Sequence, residues 1–496
     1  MQTKASGEMK VKRKLTKKQG LLASLCFIFS YVITVAIAFG MLAVKQGDNT
    51  INYLSDNIGK AIFVVAGVLL LYSITYLYLY FENGEVLAKL SKQIEMFLLL
   101  DLSFVFSFVV TILLDDPNAR PFGFFAVMCA TLLGRKPAIF LNVINALLIF
   151  IMDINIHVVA LDSVEMLTYC SCLLMSFSAG TLVIFFAHTI KTRLQSVMVF
   201  FIVLLPIEVI IALMEILFGG MTSEWILLAY GAIGAVLSTL LYMVLLPIFE
   251  LIFSELTTFR LREITAPNAR LMKKLKNEAP GTYNHSVVVA QLTEACAIAI
   301  GEDGELARAA ALYHDVGKLA NPEMFTENQS DKNIHNELPP ELSAEIIRSH
   351  TRDGAKLIKK YHLPEFLADA AVQHHGTLPI KYFYVKALKM SDGEVQLADF
   401  SYTGPVPETR IAAIIMIADA VEAATRSIAD RSAANIEKLA GSLIEERMNL
   451  DQFVNCNITM RDLTVISRTI AQSLSGVYHN RISYPKLLIG KRVKLC

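Results

Sequence analysis

Charged residues are scarce in this chain of 496 residues. Asp, Glu, Lys and Arg together make up 18% of the sequence, whereas apolar residues make up 54%. A typical soluble domain is about one quarter charged, so the composition excludes a protein that is soluble along its whole length. The chain is long enough for two or three domains. Its net charge of zero averages unlike segments and therefore indicates nothing about partners.

Paired cysteines are lacking as well. The seven cysteines are scattered and none stands in a C-x-x-C pair, so their spacing predicts no disulfide framework. A cleavable leader is not indicated either. The basic segment 1–20 precedes an apolar run, 21–44, that is long enough to span a membrane and that no clear A-x-A site follows. We interpret this run as a retained span.

Long apolar runs recur up to residue 253, and each spanning helix needs about 20 such residues. We predict eight spans. The fourth and fifth are separated by the turn Gly134-Arg135-Lys136-Pro137, and one broken helix at this place would reduce the count to seven. The predicted spans are 21–44, 61–81, 96–114, 121–134, 137–152, 166–187, 197–218 and 226–250.

The distribution of positive charge favours eight spans over seven. With eight, the basic segment 1–20 and the short loops on its side of the membrane carry thirteen Lys or Arg residues. The opposite loops carry eight acids and only three positive residues, Lys45, Lys60 and Arg120. Positively charged loops face the cytoplasm, so both termini are predicted to be cytoplasmic. The opposite loops are 45–60, 115–120, 153–165 and 219–225.

Three acidic residues fall within the predicted spans, namely Asp101, Glu208 and Glu215. Charged groups are costly in lipid and usually face the interior of a helix bundle. Glu208 and Glu215 are seven residues apart and therefore share a helix face. These acids either form a polar ligand or ion site or make hydrogen bonds between helices.

The remainder of the chain has the mixed charge of a soluble protein. Residues 254–282 are predicted to form a helical stalk that continues the last span, followed by a short connection. The stalk either transmits motion or tethers the chain, with Lys273, Lys274 and Lys276 on anionic lipid. Residues 283–496 have helical periodicity, including segments 340–349 and 354–362, and no convincing strand pattern. The predicted fold class is all-α: a transmembrane helix bundle followed by an all-helical cytosolic domain.

Histidine and aspartate residues recur within or at the ends of the apolar helices of this domain. Ionisable groups are expensive there unless they are paired or bind metal, and imidazole with carboxylate favours Fe, Mn or Zn over Mg. Adjacent residues diverge by roughly 100° on a helix, so His314 and Asp315 are predicted to line a cleft that holds two metal ions, with Asp315 between them. The predicted ligands are His285, His314, Asp315, His350, His374, His375 and Asp419.

Two divalent ions about 3.5–4 Å apart activate a bridging hydroxide for attack on phosphorus. Lys318 lies one turn after His314 and either holds a phosphate or complements the end of its helix. Asp353 either orients a ligand or caps a helix. The other five histidines are interpreted as surface or core residues: His157, His188, His335, His362 and His479.

Five phrases carry a resemblance to the HD phosphohydrolase superfamily. More narrowly, the chain resembles the seven-transmembrane-receptor HD family, whose members include bacterial cyclic di-AMP phosphodiesterases. That family commonly has a large extracellular domain between its first two spans, where this chain has only residues 45–60. The phrases are Glu278-Ala-Pro-Gly-Thr-Tyr-Asn-His-Ser, His314-Asp-Val-Gly-Lys, Gln373-His-His-Gly-Thr, Phe400-Ser-Tyr-Thr-Gly-Pro and Ile415-Met-Ile-Ala-Asp-Ala-Val-Glu.

The resemblance implies a multi-pass enzyme of the bacterial plasma membrane that hydrolyses cyclic di-AMP to pApA with two Mn or Fe ions. His285, His314, Asp315 and Asp419 would hold one ion. His350, His374 and His375 would hold the other, with Asp315 shared and Lys318 assisting catalysis. The implied partners are a cyclic dinucleotide and the lipid bilayer, not a nucleic acid polymer, and homo-oligomerisation is left open.

Three alternatives remain open from the sequence. An HD enzyme could act on cyclic di-GMP or another nucleotide, although the Gly-Tyr-Pro phrase typical of cyclic di-GMP enzymes is lacking after His375. A receptor or scaffold could bind a nucleotide without cleaving it. A transporter would leave the soluble half unexplained.

Overall fold

The computed structural model describes residues 16–156, 164–218, 224–329, 333–390 and 393–477. The chain divides into two compact units between Phe259 and Arg260. The described residues are helical, and their only strand-like pairing is one isolated bridge between Pro379 and Ser401, which confirms the all-α class. Predictions for the basic residues 1–15, for His157 and His479 and for residues 478–496 lie outside the described residues.

Ten α-helices are described in the first unit. They are α1 (Lys17–Gln46), α2 (Thr50–Asp56), α3 (Ile58–Glu82), α4 (Gly84–Ala88), α5 (Leu90–Leu114), α6 (Phe124–Leu132), α7 (Arg135–Ile156), α8 (Val164–Ala187), α9 (Met198–Phe218) and α10 (Glu224–Ile252).

Ten more follow, almost entirely in the second unit. They are α11 (Thr258–Thr265), α12 (Arg270–Glu278), α13 (Pro280–Ala299), α14 (Gly304–Tyr313), α15 (Pro340–Lys360), α16 (Glu365–Gln373), α17 (Lys381–Met390), α18 (Arg410–Thr425), α19 (Ala433–Asn449) and α20 (Met460–Val477).

Seven of the described helices are long and apolar enough to cross a membrane: α1, α3, α5 and α7 to α10. Helix α6 has nine residues and is therefore about 14 Å long, roughly half of the 30 Å hydrocarbon core. The prediction of a spanning helix at 121–134 is wrong. Asp115 has a positive φ of 53° and Pro117 opens a 3₁₀ turn, so the chain does not regain α-helical geometry until Phe124.

The described residues of the first unit nevertheless make eight passes between the two ends of the bundle. At one end, which we call the Lys92 end, the Lys92 ammonium donates to the Leu132 carbonyl at 2.9 Å and lies 2.6 Å from the Glu255 carboxylate. Gln19 of α1 donates to the Ala88 carbonyl at this same end. Both the start of α1 and the chain after α10 therefore lie at the Lys92 end, as an even number of passes requires.

The opposite end, the Asp153 end, is marked by a buried ion pair. The Arg120 guanidinium donates to both Asp153 oxygens at 2.7 Å and to the Thr111 hydroxyl at 2.8 Å. Asp153 lies 18 residues beyond Arg135, which places it about 27 Å along α7. Arg120 lies between α5 and α6, as predicted, whereas Asp153, which was predicted to open a loop, lies in α7. Both are buried, at 2% and 4% exposure.

The fourth pass, residues 115–134, is enclosed by protein. Phe124 to Cys129 of α6 are almost completely buried, and the Gly123 amide donates to the Ser238 hydroxyl of α10 at 3.2 Å. Irregular backbone is tolerated at membrane depth only where protein or water satisfies its polar groups. Neighbouring helices therefore replace the hydrogen bonds that a continuous helix would make for itself.

The three acids predicted within spans have different surroundings. Asp101 accepts a hydrogen bond from the Thr34 hydroxyl at 2.6 Å, which supports the interpretation as contact between helices. Glu208 and Glu215 are half-buried on α9, and Glu215 lines a cavity of about 290 Å³ together with Asp116. The sequence interpretation missed Glu95, which is fully buried in α5.

The last spanning helix does not continue as a stalk. Helix α10 ends at Ile252, Ser254 has a positive φ of 55° and the next helix begins at Thr258. The predicted continuous helix through this segment is therefore wrong. Arg193 pairs with Glu250 at 2.7 Å, which anchors the end of α10 to the chain before α9.

In the second unit, α15 is one continuous helix from Pro340 to Lys360, not two segments. Asp353 therefore lies in a helix interior, where it pairs with Lys356 at 3.0 Å, and its predicted role as a cap is wrong. Helix α17 was not predicted, and α12 is a separate helix within the segment 254–282 that was assigned to the stalk and connection. Helices α13 and α14 pack against each other, as do α15 and α16 and also α13 and α18.

Candidate metal centre

Five helices bring the seven predicted ligands together. His285 lies within α13, His350 within α15 and Asp419 within α18, while His314 and His374 follow the last residues of α14 and α16. Ligand atoms lie within 4.8 Å of one another in each of three groups that could hold a metal ion. The groups are His285 with His314 and Asp419, His350 with His374 and His375, and His314 with Asp315 and His374.

His314 and Asp315 point to the same place, contrary to the prediction that they diverge. The prediction assumed one helix, but α14 ends at Tyr313 and Asp315 has a φ of −106° and a ψ of 10°. The His314 Nε2 atom lies 3.3 Å from Asp315 Oδ2. Because α14 ends before them, the side chains of His314 and Asp315 can both contact the same site.

The glycine two residues later permits the close approach of α15. Gly317 lies in a 3₁₀ helix, Val316–Ala320, and a Cβ atom at this position would stand 1.8 Å from the His350 carbonyl oxygen. Any side chain here would push the segment that carries Asp315 away from His350. The glycine of the His-Asp-Val-Gly-Lys phrase is thus required by packing.

Asp315 stands between the two histidine groups. Its Oδ2 atom lies 3.3 Å from His314 Nε2 and 3.6 Å from His285 Nε2. Its Oδ1 atom lies 3.3 Å from His350 Nε2 and 3.6 Å from His374 Nε2. One carboxylate therefore offers one oxygen to each group, which is the arrangement of a bridging ligand.

Two buried atoms of this cluster lack hydrogen bonds. His314 Nε2 and Asp315 Oδ1 have no hydrogen-bond partner among the described residues, because the close contacts to Asp315 do not have hydrogen-bond geometry. His350 and His374 both direct Nδ1 at a backbone carbonyl, which can only accept. Their Nε2 lone pairs consequently face each other at 3.2 Å. A proton or a metal cation shared by the two nitrogens would relieve this repulsion, and the set of imidazole and carboxylate donors suits a metal cation.

On the side of the cluster that contains Asp419, neighbouring charges shift the pKa values of the ionisable groups. Burial alone would raise the pKa of Asp419, but its contacts with His285 and His314 hold that pKa well below its usual range. Conversely, burial disfavours protonated His285, yet hydrogen bonds to Asp419 and Glu422 raise its pKa to about 9. The acids are therefore ionised, as metal ligands must be.

The opposite side of the cluster favours neutral imidazoles. Burial and the neighbouring rings lower the pKa of His374 to about 4, and the pKa of His375 falls well below its usual value for the same reasons. Neutral imidazole is the metal-binding form of histidine. His374 and His375 can therefore bind a cation at neutral pH without first losing a proton.

Lys318 belongs to the centre, although it lies in the 3₁₀ helix and not, as predicted, one α-helical turn after His314. Its ammonium lies 2.7 Å from Asp315 Oδ2 and 2.8 Å from Glu327 Oε1. Although burial opposes it, the charges of Asp315 and Glu327 raise the pKa of Lys318. Lys318 is thus a fixed cation beside the bridging carboxylate.

Three neighbouring residues were missed by the sequence interpretation. Glu422 hydrogen-bonds His285, and the Tyr402 ring stacks on His375 with 4.4 Å between centroids. Glu422 could have been found, because it is a second acid in the same apolar helix as Asp419. Tyr402 lies in a phrase quoted for the resemblance, whereas no sequence pattern indicates Glu327.

The cluster lies in a segment that is similar to known proteins. The family model described as HD domain matches residues 282–424, the segment that contains all seven ligands. The chain is 36% identical over 437 residues to the cyclic-di-AMP phosphodiesterase PgpH of Listeria monocytogenes, covering 86% of this chain and 58% of that protein. It is 44% identical over 269 residues to PgpH of Bacillus subtilis, covering 54% and 37%. The chain thus spans less than two thirds of either relative.

A solved structure, the L. monocytogenes PgpH HD domain in complex with cyclic-di-AMP, is 46% identical to this chain. The match covers 43% of this chain and 99% of that domain, with a TM-score of 0.41. The HD-domain match, the seven described helices of spanning length and the identity to PgpH proteins agree with one another. Residues 282–424 therefore belong to the HD-domain family, and over 86% of its length this chain is similar to a PgpH protein.

Proposed function

We propose that the chain is a membrane-anchored, metal-dependent phosphodiesterase that hydrolyses cyclic di-AMP to pApA. The observation that carries the proposal is the position of Asp315, with one oxygen toward each of two histidine groups. Both PgpH relatives are named cyclic-di-AMP phosphodiesterases. Cyclic di-AMP is therefore the substrate that we propose for this chain.

The pocket beside the cluster suits a phosphorylated ligand. It has a volume of about 420 Å³, within the roughly 300–1,000 Å³ usual for small-molecule sites. Lys318 and Arg426 line it together with His285, His375 and Asp419. Fixed cations stabilise the charge that develops on phosphoryl oxygens.

The residues of the cluster divide into two metal positions. His285, His314 and Asp419 would hold one divalent ion, and His350, His374 and His375 the other, with Asp315 shared. Two such ions, Mn or Fe by the donor set, would polarise a phosphodiester and activate water for in-line attack. Asp315 sets the spacing of the two positions, and Lys318 keeps Asp315 ionised and is placed to hold a phosphoryl oxygen.

We also place the Lys92 end of the bundle on the cytoplasmic side, together with the HD domain. Lys92 and Arg193 have their contacts at this end, and Arg135 opens α7 beside Leu132. Positive residues concentrate on the cytoplasmic face of membrane proteins. A cyclic dinucleotide made inside the cell would then reach the pocket directly.

The test uses the full chain in detergent or nanodiscs with Mn²⁺ or Fe²⁺. Cyclic di-AMP and cyclic di-GMP are each incubated with the protein, and the products are separated by chromatography. We expect pApA from cyclic di-AMP. His314→Ala should abolish turnover, whereas His362→Asn, a change outside the cluster at a positive φ of 53° that Asn tolerates, should retain it.

Three results would contradict the proposal or its ligand assignment. Absence of cyclic di-AMP hydrolysis by protein that demonstrably holds metal would exclude this substrate. Tight binding of the nucleotide without turnover would instead favour a receptor with a non-catalytic HD domain. Full activity of His314→Ala would refute the ligand assignment.

A further inference from the structure

The predicted ligand histidines differ in the group that accepts a hydrogen bond from ring nitrogen Nδ1. In three of them, Nδ1 donates to the backbone carbonyl three residues earlier. In His285, Nδ1 donates instead to the Glu422 carboxylate, Oε2, at 2.8 Å. Either arrangement leaves Nε2 facing the cluster, where a cation can bind, and His285 Nε2 lies 2.9 Å from Asp419 Oδ1. Only His285 has a charged partner at Nδ1. The backbone acceptors are Ala311 for His314 at 2.6 Å, Ile347 for His350 at 2.5 Å and Ala371 for His374 at 2.9 Å.

Glu422 is held in place on its other side. Its Oε1 atom accepts hydrogen bonds from Arg426 Nε at 3.0 Å and Nη2 at 2.6 Å. The residue is 1% exposed, so its carboxylate lies between the His285 ring and the guanidinium with almost no contact with solvent. A carboxylate so placed has one orientation, and it fixes the orientation of the imidazole in turn.

We infer that Glu422 is a positioning residue for one metal position only, the one that His285, His314 and Asp419 form. The inference rests on the proposed function in requiring that the cluster hold two ions. An outer carboxylate that accepts from a ligating histidine fixes the ring and makes its free nitrogen a stronger donor. His350 and His374 depend on backbone carbonyls, so their position has no such dependence on Glu422.

The experiment compares metal binding by the full chain and by Glu422→Gln. The substitution keeps the size of the side chain and removes its charge. Calorimetric titration with Mn²⁺ should show two equivalents in the unaltered chain. In Glu422→Gln, one equivalent should bind about 10–100-fold more weakly, the usual cost of losing such a partner, while the other is unchanged. The absorption spectrum of bound Co²⁺ should change for the weakened equivalent alone.

Two further variants separate positioning from a general effect on α18. Glu302→Gln breaks a different ion pair of the same helix, the 2.8 Å pair with Arg410, and both equivalents should keep their affinity. In a His285→Ala background, the added Glu422→Gln change should have no further effect on the remaining equivalent. Such independence is expected if Glu422 acts only through His285.

Three outcomes would overturn the inference. They are unchanged affinity of both equivalents in Glu422→Gln, equal weakening of both, and a further loss in the His285→Ala background. An unaltered chain that binds no metal would instead refute the proposed function, so the two failures are distinguishable.

Discussion

Asp315 connects the two halves of the centre, since each of its oxygens faces a different histidine group. Asp315→Asn keeps its shape but removes the charge. We predict that both metal equivalents are then lost, with affinities reduced by more than the roughly 10–100-fold expected for an outer partner. His350→Ala should weaken one equivalent only. Equilibrium dialysis with metal analysis measures both results.

The two variants are best compared with His362→Asn, which should bind two ions normally. An Asp315→Asn protein that still binds one ion with full affinity would show that Asp315 belongs to a single position. In that case the bridging geometry would be wrong, although the other ligands would stand.

At the residue scale, the sequence predicts the residues that cluster better than the residues that support them. A carboxylate such as Asp419 in an apolar helix is conspicuous because its burial is costly. Glu422 has the same character, but its role depends on which ring it faces, and that is a tertiary contact. The role of Gly317 could not be predicted from the sequence either, because it depends on the close approach of the His350 carbonyl from another helix.

At the scale of elements, the Arg120–Asp153 pair joins the irregular pass 115–134 to α7. Arg120→Met leaves the Asp153 charge buried without its partner, which typically costs about 3–5 kcal/mol. We predict a marked loss of thermal stability of the detergent-solubilised chain. Replacing both residues, Arg120→Met with Asp153→Leu, should recover much of it, because an apolar pair of similar volume is often tolerated.

Melting followed by circular dichroism measures both variants. A single Arg120→Met variant as stable as the unaltered chain would show that the pair contributes little. A double variant less stable than the single one would show that each residue has a separate role.

The start of α20 provides a pH-dependent contact. Asp462 accepts hydrogen bonds from the Thr459 amide and hydroxyl at 2.9 and 2.7 Å and pairs with Arg410 at 3.0 Å. Partial burial opposes its ionisation, but these contacts lower the pKa of Asp462. The charged form therefore stabilises the folded state above the unfolded pKa of about 4. This contribution is lost as the pH falls through the lower folded value.

We predict that Asp462→Asn melts at a lower temperature than the unaltered chain at pH 7 and that the difference shrinks below about pH 4. Asp353→Asn, which removes the partner of Lys356 on α15, is the matched control and should change little. A difference that persists unchanged at pH 3 would show that the charge of Asp462 is not responsible.

At the scale of elements, the length of an apolar run predicts that a helix is present but does not predict the residue at which the helix ends. The long runs gave α1, α3 and α5 correctly as spanning-length helices. The end of α14 at Tyr313 was not foreseen, because Tyr-His-Asp-Val contains no residue that forces a helix to end. The reverse occurred at 121–134, where an apolar composition concealed a short helix that neighbours enclose.

For the whole molecule, the eight passes fix which segments share a side of the membrane. We predict that green fluorescent protein fluoresces when fused to either terminus and that alkaline phosphatase is inactive at both. Alkaline phosphatase inserted after Asp56, between α2 and α3, should be active. Fluorescence at one terminus alone would show that segment 115–134 does not complete a pass.

The broken fourth pass also affects the order in which the protein can be built. Gly123 depends on Ser238 for its hydrogen bond, and the Arg120 carbonyl lies against Gly234 of the same helix, where a Cβ atom would stand only 2.5 Å away. Ser238 and Gly234 are synthesised more than 100 residues after Gly123 and Arg120. An irregular backbone is not stable when only lipid surrounds it. We therefore expect segment 115–134 to remain in contact with the translocation machinery or a chaperone until α10 has emerged from the ribosome.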